Sequence, residues 1–285
     1  MSSAAVIATA RLALDRAIRE LREASDAPSL DARVLLAHCM GCTITRLLTE
    51  PDAAIAPAVA QRFAHLVRRR RGGEPIAYLT GEREFWSLPI RVTPATLIPR
   101  PETELLVERA LVHVPAGARW QLADLGTGSG AVAMAMAVER PGCRITATDC
   151  SAAALDVAQD NAQRLRLANV EFAHGDWYAA AAGRRFAVIL SNPPYVAAHD
   201  PHLELGDLRF EPEIALPAGT DGLDALTEII RGARAHLEPG GRLLVEHGFD
   251  QGPRVAALFA AHGFCDIHLS FDPAGHPRVT EGQVR

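Results

Sequence analysis

Apolar positions recur along this chain with two different periods, and the change between them divides it. Over residues 4–24, Ile7, Leu12, Leu14, Ile18 and Leu21 return at three- and four-residue steps, which predicts an amphipathic helix. Ser29 stands where it would cap a second helix carrying Leu30, Val34, Leu35 and His38. A short helix is predicted from Thr45 to Thr49, ahead of Pro51. Another is predicted from about Pro57 to Arg70, with Val59, Phe63, Leu66 and Val67 inward, and Gly72-Gly73-Glu74-Pro75 ends it. Residues 1–75 therefore read as a small helical bundle. Tyr78 to Val92 alternates weakly, which predicts a β-hairpin, and residues 76–95 read as a linker built around it.

From Pro101 onward, helical patterns alternate with short apolar runs. Gln121–Leu125, Arg144–Asp149, Val170–Ala173, Phe186–Leu190 and Arg242–Glu246 read as strands. Ala131–Glu139, Leu223–Leu237 and Gln251–His262 read as helices, with Gly240-Gly241 turning the chain into the Arg242 strand. The last two strands, near Cys265–Phe271 and Arg278–Val284, read as an antiparallel pair. Strand runs without alternation are buried on both sides. The fold class is thus α/β, an open and mostly parallel sheet with helices on both faces over residues 96–285.

Composition narrows the class further. A chain of 285 residues is long for one domain and comfortable for two. No stretch is long and apolar enough for a membrane span, and no basic segment precedes an apolar run as in a signal peptide. All 29 basic residues are arginine, and the net charge of -5 argues against a nucleic-acid partner. Arg68 to Arg71 is the one basic cluster, read as a solvated helix end that complements the dipole. The five cysteines are scattered, which fits a reducing cytoplasm, and Cys39 and Cys42 read as packing residues despite their spacing. His199, His202, His236 and His247 lack the spacing of metal ligands, so no metal is expected.

Candidate chemistry gathers at the strand ends. Gly126-Thr127-Gly128-Ser129-Gly130 follows the first strand and opens a helix, where glycines let backbone approach a ligand. Asp149 ends the next strand roughly 20 residues after the first glycine, where a carboxylate receives ribose hydroxyls. Gly175-Asp176-Trp177 ends the third, and a carboxylate beside an indole suits an adenine. Asn192-Pro193-Pro194-Tyr195 then leaves the sheet in a stiff turn, since neither proline can donate to a ladder. The Asn192 side-chain carbonyl and the Pro193 backbone carbonyl can each accept one hydrogen of a planar NH2 group. Tyr195 would wall that group, and Glu211-Pro212, in the long loop from Val196 to Gly222, is a further candidate for substrate contact.

Together these elements resemble the class I methyltransferases that use S-adenosylmethionine. With Glu84 to Pro94, Leu97 to Glu104 and Gly206 to Leu216, the chain looks like the release-factor glutamine methyltransferases, the HemK/PrmC family, from about residue 30 to residue 280. The resemblance implies a Rossmann-like catalytic domain and a helical N-terminal domain that recognises substrate. It implies S-adenosylmethionine as cofactor, leaving as S-adenosylhomocysteine, and a cytoplasmic monomer acting on the glutamine amide of the GGQ motif in class I peptide chain release factors. Gly126, Thr127, Gly128, Ser129, Gly130, Asp149, Asp176, Trp177 and Asn192 would bind cofactor. Asn192, Pro193, Pro194 and Tyr195 would hold the amide, with Asn192, Pro193 and Tyr195 catalytic, and Pro99-Arg100-Pro101-Glu102-Thr103-Glu104 would lie over the cofactor's methionine end. The competing reading is a nucleic-acid amino-methyltransferase acting on adenine N6 or guanine N2, because an exocyclic amine presents the same two hydrogens.

Overall fold

The computed structural model describes residues 9–196, 208–212, 219 and 221–285. Its contacts divide the chain into two compact units, one running to Gly81 and joined by the turn Leu208–Phe210, the other running from Glu82.

The first unit is helical. Helix α1 spans Ala10–Leu21, and the Thr9 hydroxyl accepts from the Leu12 amide at its start. Helix α2, Pro28–Met40, begins two residues earlier than expected and is not capped by Ser29. Proline at the first helical position lacks an N–H that would have had no partner, and its φ is already suited to a helix start. Ser25 does the local work instead, accepting from the Ala27 amide and donating to Asp31. Helix α3, Ile44–Thr49, is capped by Thr43, and α4 spans Pro57–Arg71. Leu21, Leu35, Leu36, Phe63 and Val67 share the core these helices enclose. The arginine run at the end of α4 is only partly a solvated face. Arg70 pairs with the buried Asp31 at 2.7 Å and donates to the Glu74 carbonyl, and Arg69 pairs with Glu74.

Helix α5, Ile76–Thr80, occupies the place where the hairpin was expected to start. One helical turn and a short alternating strand bury the same positions, here Ala77 and Leu79, so periodicity over five residues does not separate them. The hairpin that follows is shorter, β1 Glu82–Phe85 against β2 Leu88–Arg91.

The second unit is built on a seven-stranded sheet. Its elements in chain order are α6 Glu104–His113, β3 Gln121–Leu125, α7 Ala131–Glu139, β4 Arg144–Asp149, α8 Ala152–Arg164, β5 Val170–His174, β6 Phe186–Ser191, α9 Asp224–His236, β7 Leu237–Glu246, α10 Gly252–Ala261, β8 Cys265–Phe271 and β9 Pro277–Gln283. The strand order is β5-β4-β3-β6-β7-β9-β8, with helices on both faces. The pairs from β5 to β7 are parallel, while β7–β9 and β9–β8 are antiparallel. Residues Leu122 to Leu125 of β3 are all buried, and so is α7 from Ala131 to Ala137, as expected of a helix apolar on every side. The Gly240-Gly241 turn lies inside β7: the register jumps from Phe186↔Leu237 to Val188↔Arg242, and Gly240 at φ 79° lets the extra residues bulge out.

Order reverses between β3 and β6, the position where open α/β sheets bind ligands beyond their strand ends. The Ser191 hydroxyl donates to the Leu125 carbonyl at 2.7 Å, tying the ends of those two strands together.

Candidate active site

The turn after β3 has a conformation only glycine takes easily. Gly126, Gly128 and Gly130 have φ of 70°, 55° and 82°. A Cβ on Gly126 would lie 3.1 Å from the Trp177 ring, and one on Gly130 would lie 3.1 Å from Ala158. A Cβ on Gly128 would meet nothing within 4 Å, so the backbone there fronts open space.

Three side chains fix this turn. Asp124, 2% exposed, accepts from the Thr127 hydroxyl at 2.6 Å and from the Ala133 amide at 3.2 Å, both on Oδ2. Burial pushes its carboxyl up to about 6 against these two bonds. Asp149 accepts from the Gly128 amide on Oδ2 at 2.9 Å and from the Ser151 amide on Oδ1 at 2.8 Å. Asn161, buried in α8, donates to the Ser129 and Arg91 carbonyls and accepts from the Arg91 amide, which joins the turn to the hairpin.

Beyond the strand ends lies a cavity of about 640 Å³. Gly126, Thr127, Gly128, Ser129, Asp149, Asp176, Trp177, Asn192 and Pro194 line it, with Pro99, Arg100 and Thr103 from the segment before α6. Trp177 has φ 36°, a left-handed backbone that a bulky residue adopts only under constraint. Its ring lies against Gly126, so the absent side chain there is what admits the indole.

Asn192 leaves β6 with its amide NH2 donated to the Thr103 hydroxyl at 3.0 Å. Pro193 is buried, and neither it nor Tyr195 is among the cavity's described lining residues. Tyr195 instead packs on the core and donates its hydroxyl to Glu246 at 3.1 Å. Its own pKa is driven upward by burial and then by the Glu246 charge. Gln251 holds the backbone beyond the turn, donating to the Tyr195 carbonyl at 3.0 Å while accepting from the Gly248 amide.

Glu211 has a different place from Pro212. Both its carboxylate oxygens lie 2.8 Å from one Arg100 nitrogen, and its side chain is fully buried, whereas Pro212 lines the cavity. His236 stacks on Tyr178 at 4.6 Å, and His247 is buried between Thr280 and the Gly248 carbonyl. His199 and His202 lie outside the described residues. Cys39 and Cys42 are free thiols of the helical unit, the first buried and the second half-buried.

Sequence reasoning missed Asp124, Asn161, Glu246 and Gln251 as parts of this site, and named Thr103 only within the segment over the methionine end. An acid within an apolar strand and an asparagine on the inward face of a helix were the available signals. Glu246 and Gln251 become visible only in three dimensions.

Two family models match the chain: the PrmC N-terminal domain over residues 13–81 and the methyltransferase small domain over residues 101–209. Over 270 residues the chain is 47% identical to the release factor glutamine methyltransferase of Salmonella typhimurium, covering 95% of this chain and 97% of that one. Over 254 residues it is 50% identical to the release factor glutamine methyltransferase of Xylella fastidiosa, covering 89% and 92%. Among solved structures, a methyltransferase from Pyrococcus furiosus matches at TM-score 0.52 and 18% identity over 69% of this chain and 88% of that one. A 16S rRNA N2 methyltransferase of Thermus thermophilus, in complex with AdoMet and guanosine, matches at TM-score 0.55 and 18% identity over 72% and 50%. These two likenesses speak to the fold.

Proposed function

The chain belongs to the family of release factor glutamine methyltransferases, and from that premise we propose how its cavity carries out methyl transfer to a glutamine side-chain amide. The substrate is the glutamine of the GGQ motif in a class I peptide chain release factor, and the methyl donor is S-adenosylmethionine. The reading places the enzyme in the cytoplasm, where release factors work, and takes a single chain as the working unit. Among the described residues no helix is long and apolar enough to cross a membrane.

The cavity suits that donor. Its floor is glycine backbone with open space above Gly128, and carboxylates from β4 and the end of β5 stand at its side. In this reading the ribose hydroxyls bond to Asp149, whose oxygens keep spare lone pairs beyond the two amides they serve. Trp177 covers the adenine, and Asp176 accepts from its amino group. Arg100 and Pro99 lie toward the methionine end. When bound, the cofactor supplies a methyl group on a positively charged sulfur.

The observation that carries the reading is the Asn192 amide. Its NH2 donates to Thr103 and the residue lines the cavity, and in this reading its carbonyl faces the substrate. An amide nitrogen is a weak nucleophile because its lone pair is delocalised. The Asn192 and Pro193 carbonyls each accept one of its hydrogens, orient it, and favour the positive charge that develops on it. Alignment and preorganised dipoles are the chain's contribution; the alkylated nitrogen is strongly acidic and gives its extra proton to water, so no strong base is required.

The test is single-turnover transfer of labelled methyl to an unmethylated class I release factor, with DNA and RNA as controls. Asn192→Ala is expected to lower the rate by about 10²–10³ while folding and cofactor binding persist. Asn192→Asp keeps an acceptor and should retain more activity than the alanine variant. Near wild-type turnover in a folded Asn192→Ala protein would overturn the assignment, and methylation of nucleic acid in place of release factor would overturn the substrate.

A further inference from the structure

The pair formed by Arg100 and Glu211 has no role in the reaction above. Its members are 111 positions apart, one in the segment before α6 and the other beside Pro212. One guanidinium nitrogen of Arg100 lies 2.8 Å from both carboxylate oxygens of Glu211, the length of a charge-assisted bond. The Glu211 side chain is wholly buried, whereas that of Arg100 is 30% exposed and lines the cavity. Glu211 is not among the described residues that line the cavity, so its carboxylate stands behind the guanidinium.

Arg100 belongs to the Asn192 end of the cavity. The Thr103 amide donates to the Arg100 carbonyl at 3.1 Å across one tight turn, and the Thr103 hydroxyl accepts from the Asn192 amide at 3.0 Å. Arg100 is also the one cation among the cavity's described lining residues, the other charged ones being Asp149, Asp176, Asp224 and Glu228. S-adenosylmethionine is positively charged at sulfur, and the S-adenosylhomocysteine left after transfer is a neutral thioether. A cavity ringed by acids favours the first over the second. A bare guanidinium at the reacting end would oppose that preference. Arginine cannot shed its proton, so a fixed carboxylate is what cancels the repulsion.

We propose that Glu211 is a positioning residue that sets cofactor specificity: it holds and neutralises Arg100, so that the cavity takes the charged methyl donor in preference to its neutral product. The proposal rests on the reading of this cavity as the S-adenosylmethionine site. Burial keeps the Glu211 carboxylate away from the ligand and from solvent screening, so it acts through Arg100 alone. Its removal leaves the guanidinium uncompensated at the cavity wall.

The experiment uses the full-length chain and calorimetric Kd values for S-adenosylmethionine and S-adenosylhomocysteine, which differ by one methyl group and the charge on sulfur. Glu211→Gln keeps the shape of the side chain and removes its charge. It should weaken S-adenosylmethionine binding by about tenfold, the scale of one uncancelled like charge in a partly shielded site, and move S-adenosylhomocysteine by no more than about twofold. Glu211→Asp keeps the charge and should keep the wild-type ratio of the two Kd values. Glu211→Gln combined with Arg100→Gln removes both charges and should restore that ratio. A purely structural role, with Glu211 only holding Pro212 and the segment before α6 in place, would raise both Kd values together and leave the ratio alone. If Glu211→Gln does not fold, Glu211→Ala, which leaves room for water beside the guanidinium, replaces it in the same comparisons.

An unchanged Kd ratio in the folded charge-removing variant, alongside a wild type that binds both ligands, would overturn the role of Glu211 and leave the reading of the cavity standing. A wild-type chain that binds neither ligand would sink both.

Discussion

Replacing Asp124 by asparagine removes a charge that the fold keeps against its own electrostatics. The carboxyl sits at about 6, against 3.8 for an aspartate in water, with burial as the main cause. At 1.36 kcal/mol for each tenfold change, the gap of about 2.2 pH units makes the ionised form about 3 kcal/mol less favourable in the folded chain than in the unfolded one. With 2% of the residue exposed, solvent screening takes little from that figure. The penalty is absent below about pH 4, where both states hold the proton. It grows between about pH 4 and pH 6, where the folded chain binds the proton that the unfolded chain has lost. Above pH 6 it is complete, so this residue makes the wild type less stable as pH rises.

Asparagine at this position keeps what the turn needs. The Thr127 hydroxyl and the Ala133 amide both bond to Oδ2, so one amide oxygen placed there accepts from both. The expected outcome is an Asp124→Asn protein that equals wild type near pH 4 and exceeds it by up to about 3 kcal/mol at pH 8. For a unit of this size that is roughly 6–12 °C in melting temperature. Cofactor affinity should change little. Asp124→Ala leaves a hydroxyl and a helix-start amide buried without an acceptor, at about 1–3 kcal/mol each, and should lose both stability and cofactor affinity. Melting temperatures for the three proteins across pH 4–8, with calorimetric cofactor titrations, decide the matter. A difference between Asp124→Asn and wild type that does not vary with pH would refute the reasoning, because the raised carboxyl would then not be titrating.

Three further outcomes follow from the same geometry. Asp149→Ala should weaken S-adenosylmethionine binding by about 1.5–3 kcal/mol, the scale of a bond to a charged acceptor; calorimetry with unchanged affinity would remove Asp149 from the site. Gly126→Ala forces a side chain into φ 70° and toward the Trp177 ring, 3.1 Å from the new Cβ; it should fold by circular dichroism yet bind cofactor weakly, and wild-type affinity would show that Trp177 does not cover the adenine. A chain beginning at Glu82, where the second compact unit starts, should still bind cofactor but methylate the intact release factor poorly. Full activity of that truncated chain on the intact substrate would contradict a recognition role for the helical unit.

What could be read in advance follows from how local each determinant is. The β3–α7 turn is a contiguous stretch whose glycines have one physical reason to be there, so Gly126 to Gly130 stands out in the bare chain. Asp149, Asp176 and Asn192 were placed by counting from strand ends, and buried parallel strands announce their ends as breaks in apolar runs. Helix α5 escaped because five residues cannot distinguish the two periods. The bulge in β7 escaped because Gly240-Gly241 has the signature of an ordinary turn.

The groups behind Asn192 and Tyr195 escaped for a deeper reason. Thr103 lies 89 positions from Asn192, and Glu246 lies 51 positions from Tyr195. Thr103 belongs to a helix start, where proline and acids are explained by capping alone. Glu246 closes an apolar strand, and nothing beside it in the sequence marks it out. Only the sheet order, which sets β7 beside β6 and carries the segment before α6 across their ends, turns an apparently peripheral acid into a buried one. The residues that line the cavity were therefore legible from local spacing, while those that hold them from behind were not. A substitution at Glu246 would look conservative on the sequence, yet it would change the acceptor that the Tyr195 hydroxyl meets behind the cavity wall.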